Sequence, residues 1–161
     1  GKVVCIDERM EAAAEEANLP LLAEATRAAI DKLQERGDGG FFLMVEGAKI
    51  DYAGHSRCLP GSVIEMLSFD MAVAEALKFA DSNGETLVVV TADHETGGLT
   101  IPSGDADFTR AESGIDYRFS TKGHTGTLVP VYLYGAGVDA IRGVMDNTEL
   151  ARRIMELLGL E

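Results

Sequence analysis

"LVVVTADHETGG", residues 87–98, decides the fold. Its first half is a short, continuous apolar run that ends in an Asp-His pair. Such a run reads as a strand buried on both faces, with polar groups delivered at its carboxyl end. "GFFLMVEG", residues 40–47, has the same character and ends on Glu46. "LVPVYLYGAG", residues 128–137, gives a third strand, "KVVCID" near the start is strand-like, and "GGLTIP" holds a short one.

Helical segments separate these strands. Residues 8–18 are rich in Ala and Glu and are expected to be helical. Residues 21–37 place Leu22, Ala25, Ala29, Ile30 and Leu33 at helical spacing, with Gly37 as the C-cap. From Ser62 to about Ala80, Ile64, Leu67, Val73, Ala76, Leu77 and Phe79 mark a long helix. Met66 and Met71 read as core filler there, and Ser82, Asn83 and Gly84 end the helix. A last helix follows an Asn147 cap. Residues 102–123 are polar and Gly-bearing, an irregular insertion loop. Helices alternating with apolar strands predict an α/β fold. The expected form is a layered, mostly parallel sheet with helices on both faces, in one domain over residues 1–161.

The 161 residues carry a net charge of -13. A field of that sign repels nucleic-acid phosphates and anionic membrane surfaces, so neither is expected as a partner. It also repels an anionic substrate unless bound cations reverse it locally. No apolar run has the length of a membrane span, and no signal peptide is seen. Cys5 and Cys58 form neither a disulfide framework nor a C-x-x-C pair, and their roles stay open.

Metal-capable side chains collect at the strand ends. Glu46, Asp51 and His55 follow one strand; Asp93 and His94 follow another. Ligands of open α/β sheets bind beyond the carboxyl ends of the strands. His124 precedes its strand, and reaches the same edge if that strand runs antiparallel to the others. All three histidines of the chain fall in this set. Taken singly, each residue is better explained as a turn, a cap or a satisfied carboxylate. Their concentration at strand ends favours a metal site: carboxylates and imidazoles suit zinc, with hard oxygen positions for magnesium. Two such cations can clamp the attacking and leaving oxygens of a phosphoryl transfer. Asp51 and His55 then lie four apart on a loop that wraps the ion.

"MVEGAKIDYAGH", "LVVVTADHETGG", and "KGHTGTLVPVYLYGAG" followed by "GVMDNTELARRI" resemble the C-terminal half of bacterial alkaline phosphatases. The resemblance runs from about residue 20 to the end. It implies that Asp51, His55 and His124 bind a first zinc, Asp93 and His94 a second, and Glu46 a magnesium. It places Tyr52 near the phosphate. It implies hydrolysis of phosphate monoesters through a phosphoserine, and a periplasmic or secreted location. The nucleophilic Ser and a phosphate-binding Arg are expected from a missing N-terminal part. Ser62 and Ser68 match no such motif. The fold is thus expected to be partial, lacking N-terminal strands, with one zinc site complete and the chain inactive alone. Open sheet edges invite a homodimer or strand-swapped pairing with a second copy. The alternatives are a sulfatase, phosphodiesterase or phosphoglycerate-mutase type of the same superfamily, or a non-catalytic metal-binding domain. The nucleophile would separate the first group, and metal content the second.

Overall fold

The computed structural model describes residues 3–6, 20–37, 39–101 and 117–160. The helix expected over 8–18, most of the insertion loop and the Cys5 side chain lie outside the described residues. Strand β1 (Val3–Ile6) is followed by helix α1 (Leu21–Gln34), β2 (Phe42–Val45), α2 (Lys49–His55) and α3 (Leu59–Asn83). Next come β3 (Leu87–Thr91), β4 (Glu95–Thr96), β5 (Leu99–Thr100), β6 (Arg118–Phe119) and β7 (His124–Thr125). Strand β8 (Val131–Gly135), a short 3-10 turn (Val138–Ala140) and α4 (Asn147–Leu157) complete it.

Helices and strands do alternate, but the strands pair two by two. β1 and β2 are parallel, with Val3 opposite Phe42 and Ile6 opposite Val45. The β3–β8, β4–β7 and β5–β6 pairs are all antiparallel. One mostly parallel sheet is therefore not what the described residues form, because the chain doubles back after β3 and returns as β8 against it. That return gives the antiparallel orientation that His124 needs. The strands are also less buried than their composition predicts. β2 and β3 are half-covered, and in β8 Tyr132 is 64% exposed. A two-stranded ribbon has few neighbours to cover its faces.

The core lies where α1 crosses α3. Leu22, Ala23 and Ala72 are buried together, with Ala25, Ala29, Val45 and Phe69 packed around them. Small residues let the two helices approach closely. Thr26 is also buried, and its hydroxyl donates to the Leu22 carbonyl at 2.7 Å, so that hydroxyl is not orphaned. The other face of α3 is open: Ile64, Met66, Leu67 and Met71 are exposed, not core filler.

Local chemistry shifts several helix ends. α3 starts three residues before Ser62, because Pro60 suits a first turn and Cys58 caps it. The Cys58 sulfur accepts from the Gly61 amide at 3.4 Å. α3 ends at Gly84, whose φ of 69° is the left-handed cap glycine allows. α1 ends on Glu35 rather than Gly37, and α4 is capped by Asp146 rather than Asn147. The largest correction is at residues 51–55, which form α2 and not a loop.

α2 lies against β4 at Gly54. A Cβ built there meets the Thr96 carbonyl oxygen at 2.9 Å and Thr96 Cβ at 3.0 Å. Gly54→Ala adds helix propensity of about 1 kcal/mol. It also forces a methyl against a backbone carbonyl that cannot rotate away, which costs about 1–3 kcal/mol. The clash wins, so we expect Gly54→Ala to lower the urea midpoint; an unchanged or higher midpoint contradicts the contact.

In α4, the Arg152 guanidinium and then Arg153 hold the Glu149 carboxyl below its ordinary range. The ion pairs are 2.7 and 2.8 Å long. A depressed carboxyl stabilises the fold above its unfolded pKa and loses that contribution as pH falls through the folded value. We expect a carbon-13 titration of Glu149 to show a midpoint below about 4.3, the ordinary Glu value. Replacing both arginines by Ala should raise it to that value. A wild-type midpoint already there contradicts the pairing.

Candidate metal centre

Three elements bring the site together. α2 carries Asp51 and His55 one turn apart on a single face. β7 carries His124, which pairs directly opposite Thr96 of β4. The segment joining β3 to β4 carries Asp93 and His94. Gly97 and Gly98, with φ of 95° and 60°, turn the chain tightly just beyond. A Cβ on Gly97 would meet the Gly54 carbonyl at 2.9 Å, so the approach of α2 requires glycine on both sides.

One ligand atom from each of Asp51, His55 and His124 lies within 4.8 Å of the others. The separations are specific. His55 Nε2 is 3.3 Å from Asp51 Oδ2, and His124 Nε2 is 3.3 Å from His55 Nε2. His124 Nε2 is 3.6 Å from Asp51 Oδ1. Zinc bonds of about 2.0–2.1 Å in a tetrahedron put adjacent ligand atoms about 3.3–3.4 Å apart. The two separations of 3.3 Å equal such an edge; the third is longer and runs to the other Asp51 oxygen.

The hydrogen bonds agree with a cation site. His55 Nδ1 is 2.5 Å from the Lys122 carbonyl oxygen, which can only accept, so Nδ1 carries the proton. In the neutral ring Nε2 is then a bare lone pair, facing a carboxylate and a second imidazole. A cation there would be met by that lone pair and by the Asp51 carboxylate. Donation of the far ring proton to a carbonyl is the usual outer support of a metal-bound histidine.

His94 joins this cluster. Its ring stacks on His124, centroids 3.5 Å apart and planes inclined by 20°. Its Nε2 is 3.3 Å from Asp93 Oδ2, the same tetrahedral edge. Asp93 is largely exposed, so this pair opens to solvent. Glu46 lies just past β2, exposed, and forms no hydrogen bond or ion pair with the cluster among the described residues. Tyr52 is exposed on α2, beside Asp51 in sequence.

Two residues in the site were invisible to motif reading. Glu95 accepts from the Gly98 amide at 2.8 Å, the Leu99 amide at 3.3 Å and the Thr125 hydroxyl. It thereby locks the β4 turn to β7, next to His124. Thr96 donates to Asp51 Oδ1 at 2.5 Å and lies 3.1 Å from His94 Nδ1. Only the period-2 alternation around His94 hinted that Thr96 shares a face with it.

A profile of the family described as alkaline phosphatase matches residues 6–114. The streptomycin-6-phosphate phosphatase of Streptomyces griseus is 40% identical, over 89% of this chain and 36% of its own length. The alkaline phosphatase of the Antarctic bacterium TAB5 superposes with a TM-score of 0.77 at 38% identity, over 87% of this chain and 41% of that one. A TAB5 variant with magnesium bound in its M3 site gives 0.80 at 36% identity, over 92% and 44% of the two chains. The chain spans less than half of the length of the curated relatives it matches, from 16% to 45%. On these matches the chain belongs to the alkaline phosphatase family.

Proposed function

We propose that the protein is a metal-dependent phosphomonoesterase and that this chain supplies its imidazole and carboxylate zinc ligands. The observation that carries the reading is the convergence of Asp51, His55 and His124, with potential ligand atoms 3.3–3.6 Å apart. Three protein ligands and an open fourth position are the pattern of a catalytic zinc. Asp93 and His94 would hold a second zinc, with one edge defined here and the remaining ligands supplied from elsewhere. Glu46 would serve magnesium, a hard cation that favours carboxylate oxygen, as the magnesium in the TAB5 relative makes reasonable. When bound, such cations polarise the phosphoryl group and stabilise the attacking and leaving oxygens.

The chain's own groups do the positioning. The Lys122 carbonyl fixes the His55 tautomer, and Glu95 fixes the turn that sets His124 against Asp51. Tyr52, which is exposed on α2, would line the approach to the phosphate. The proposed substrate class is the phosphate monoester, and a periplasmic or secreted location belongs to the same reading. None of these 161 residues matches the family's nucleophilic Ser motif, so the polypeptide alone should not turn over.

Zinc analysis of the purified chain tests this. We expect about one tightly held zinc per chain, lost in His124→Ala, with no turnover of p-nitrophenyl phosphate by either protein. Unchanged zinc in His124→Ala would sink the three-ligand site. Turnover that tracks added zinc would sink the claim that the nucleophile lies elsewhere.

A further inference from the structure

Thr96 stands between the two ligand sets. It projects from β4 into the gap between α2 and His94, half-buried. Its hydroxyl oxygen is 2.5 Å from Asp51 Oδ1 and 3.1 Å from His94 Nδ1. A hydroxyl has a single proton and two acceptor lone pairs. An ionised carboxylate can only accept, so the proton points to Asp51. The oxygen is then an acceptor towards His94, and His94 Nδ1 must be the donor. In the neutral ring that leaves His94 Nε2 bare, and Nε2 is the atom 3.3 Å from Asp93 Oδ2.

We propose that Thr96 is a positioning residue that couples the two sites, aiming Asp51 at one cation while selecting the His94 tautomer that serves the other. The proposal rests on the metal reading above, which assigns roles to Asp51 and His94 and none to Thr96. Its content is directional. The carboxylate orients the hydroxyl, the hydroxyl selects the ring proton, and the ring proton decides which nitrogen faces Asp93. Outer hydrogen-bond partners of this kind hold ligand orientation and tautomer in metal sites. Here one hydroxyl does so for ligands of two sites. The tight packing of Gly54 against Thr96 keeps that hydroxyl within reach of Asp51.

The test has a metal-free arm and a zinc arm, on the full chain. Thr96→Val keeps the branched shape and removes the hydroxyl; Thr96→Ser restores the hydroxyl without the methyl. In metal-free protein, at a pH well above the imidazole pKa of about 6.5, nitrogen-15 spectra report which ring nitrogen carries the proton. We expect His94 to be protonated on Nδ1 in the wild type and in Thr96→Ser, and to shift towards Nε2 protonation in Thr96→Val. His55 should keep its Nδ1 proton in all three, because Lys122 and not Thr96 holds it. In the zinc arm, chelator competition should show an affinity loss of about 10–100-fold for Thr96→Val, recovered in Thr96→Ser. A wild-type His94 protonated on Nε2, or a tautomer unmoved by Thr96→Val, overturns the proposal. So does zinc affinity that is equal in the wild type and Thr96→Val. A wild-type chain that takes up no zinc overturns the metal reading, and the tautomer spectra still decide what Thr96 does.

Discussion

The site depends on a contact between two pieces of backbone. α2 rests on β4 with Gly54 against Thr96 and with the Gly54 carbonyl against Gly97. Side chains on either surface would hold the helix away. Only at this distance can the Thr96 hydroxyl reach Asp51, and only then does His55 meet His124 across the gap. The binding geometry is thus set by what the sequence leaves out at two glycines as much as by the ligands themselves. The same contact brings two imidazole nitrogens and a carboxylate within 3.3–3.6 Å of one another. Packing and the β4–β7 pairing supply the force that holds them there. A preorganised site of this kind has already met the cost of bringing its ligands together before a cation arrives.

Much of this was legible in the sequence. The Asp-His pair after "LVVVT", the four-residue spacing of Asp51 and His55, and the isolated His124 pointed to one cluster, and Asp51, His55, His94 and His124 do come together. Apolar runs located β2, β3 and β8, because short continuous apolar segments between turn signals are strong strand signals. The error over residues 51–55 has a simple cause. "DYAGH" has a glycine and no apolar periodicity, so its helical form comes from tertiary packing and not from propensity. A helix also explains the four-residue spacing better than a wrapping loop, since i and i+4 share a face. Thr96 and Glu95 went unseen because a single Thr or Glu in a strand carries no motif; their meaning lies in partners 45 and 30 residues away.

Strand composition misled in a different way. Val88, Val89 and Val90 predict burial on both faces, yet they are only half-covered, and the tyrosines of β8 face outward. Composition records the environment for which a segment is suited, while burial records the neighbours it has. The apolar face of α3 at Ile64, Leu67 and Met71 shows the same mismatch. Both surfaces belong to a chain that aligns with 41% of the TAB5 enzyme.

Charge closes the physical case for cations. The chain carries a net -13, and its candidate site sets Asp51 and Asp93 beside imidazoles that are neutral when they act as ligands. The proposed substrate, a phosphate monoester, is a dianion over much of the neutral and alkaline range, so the bare site would repel it at short range where screening is weak. Two divalent cations outweigh the carboxylates that hold them and turn a repulsive pocket into an attractive one. Substrate affinity is then conditional on metal loading, with the acidic surface elsewhere left unchanged. The geometry at Asp51, His55 and His124 and the charge of the chain are independent facts, and both suit the proposed cations.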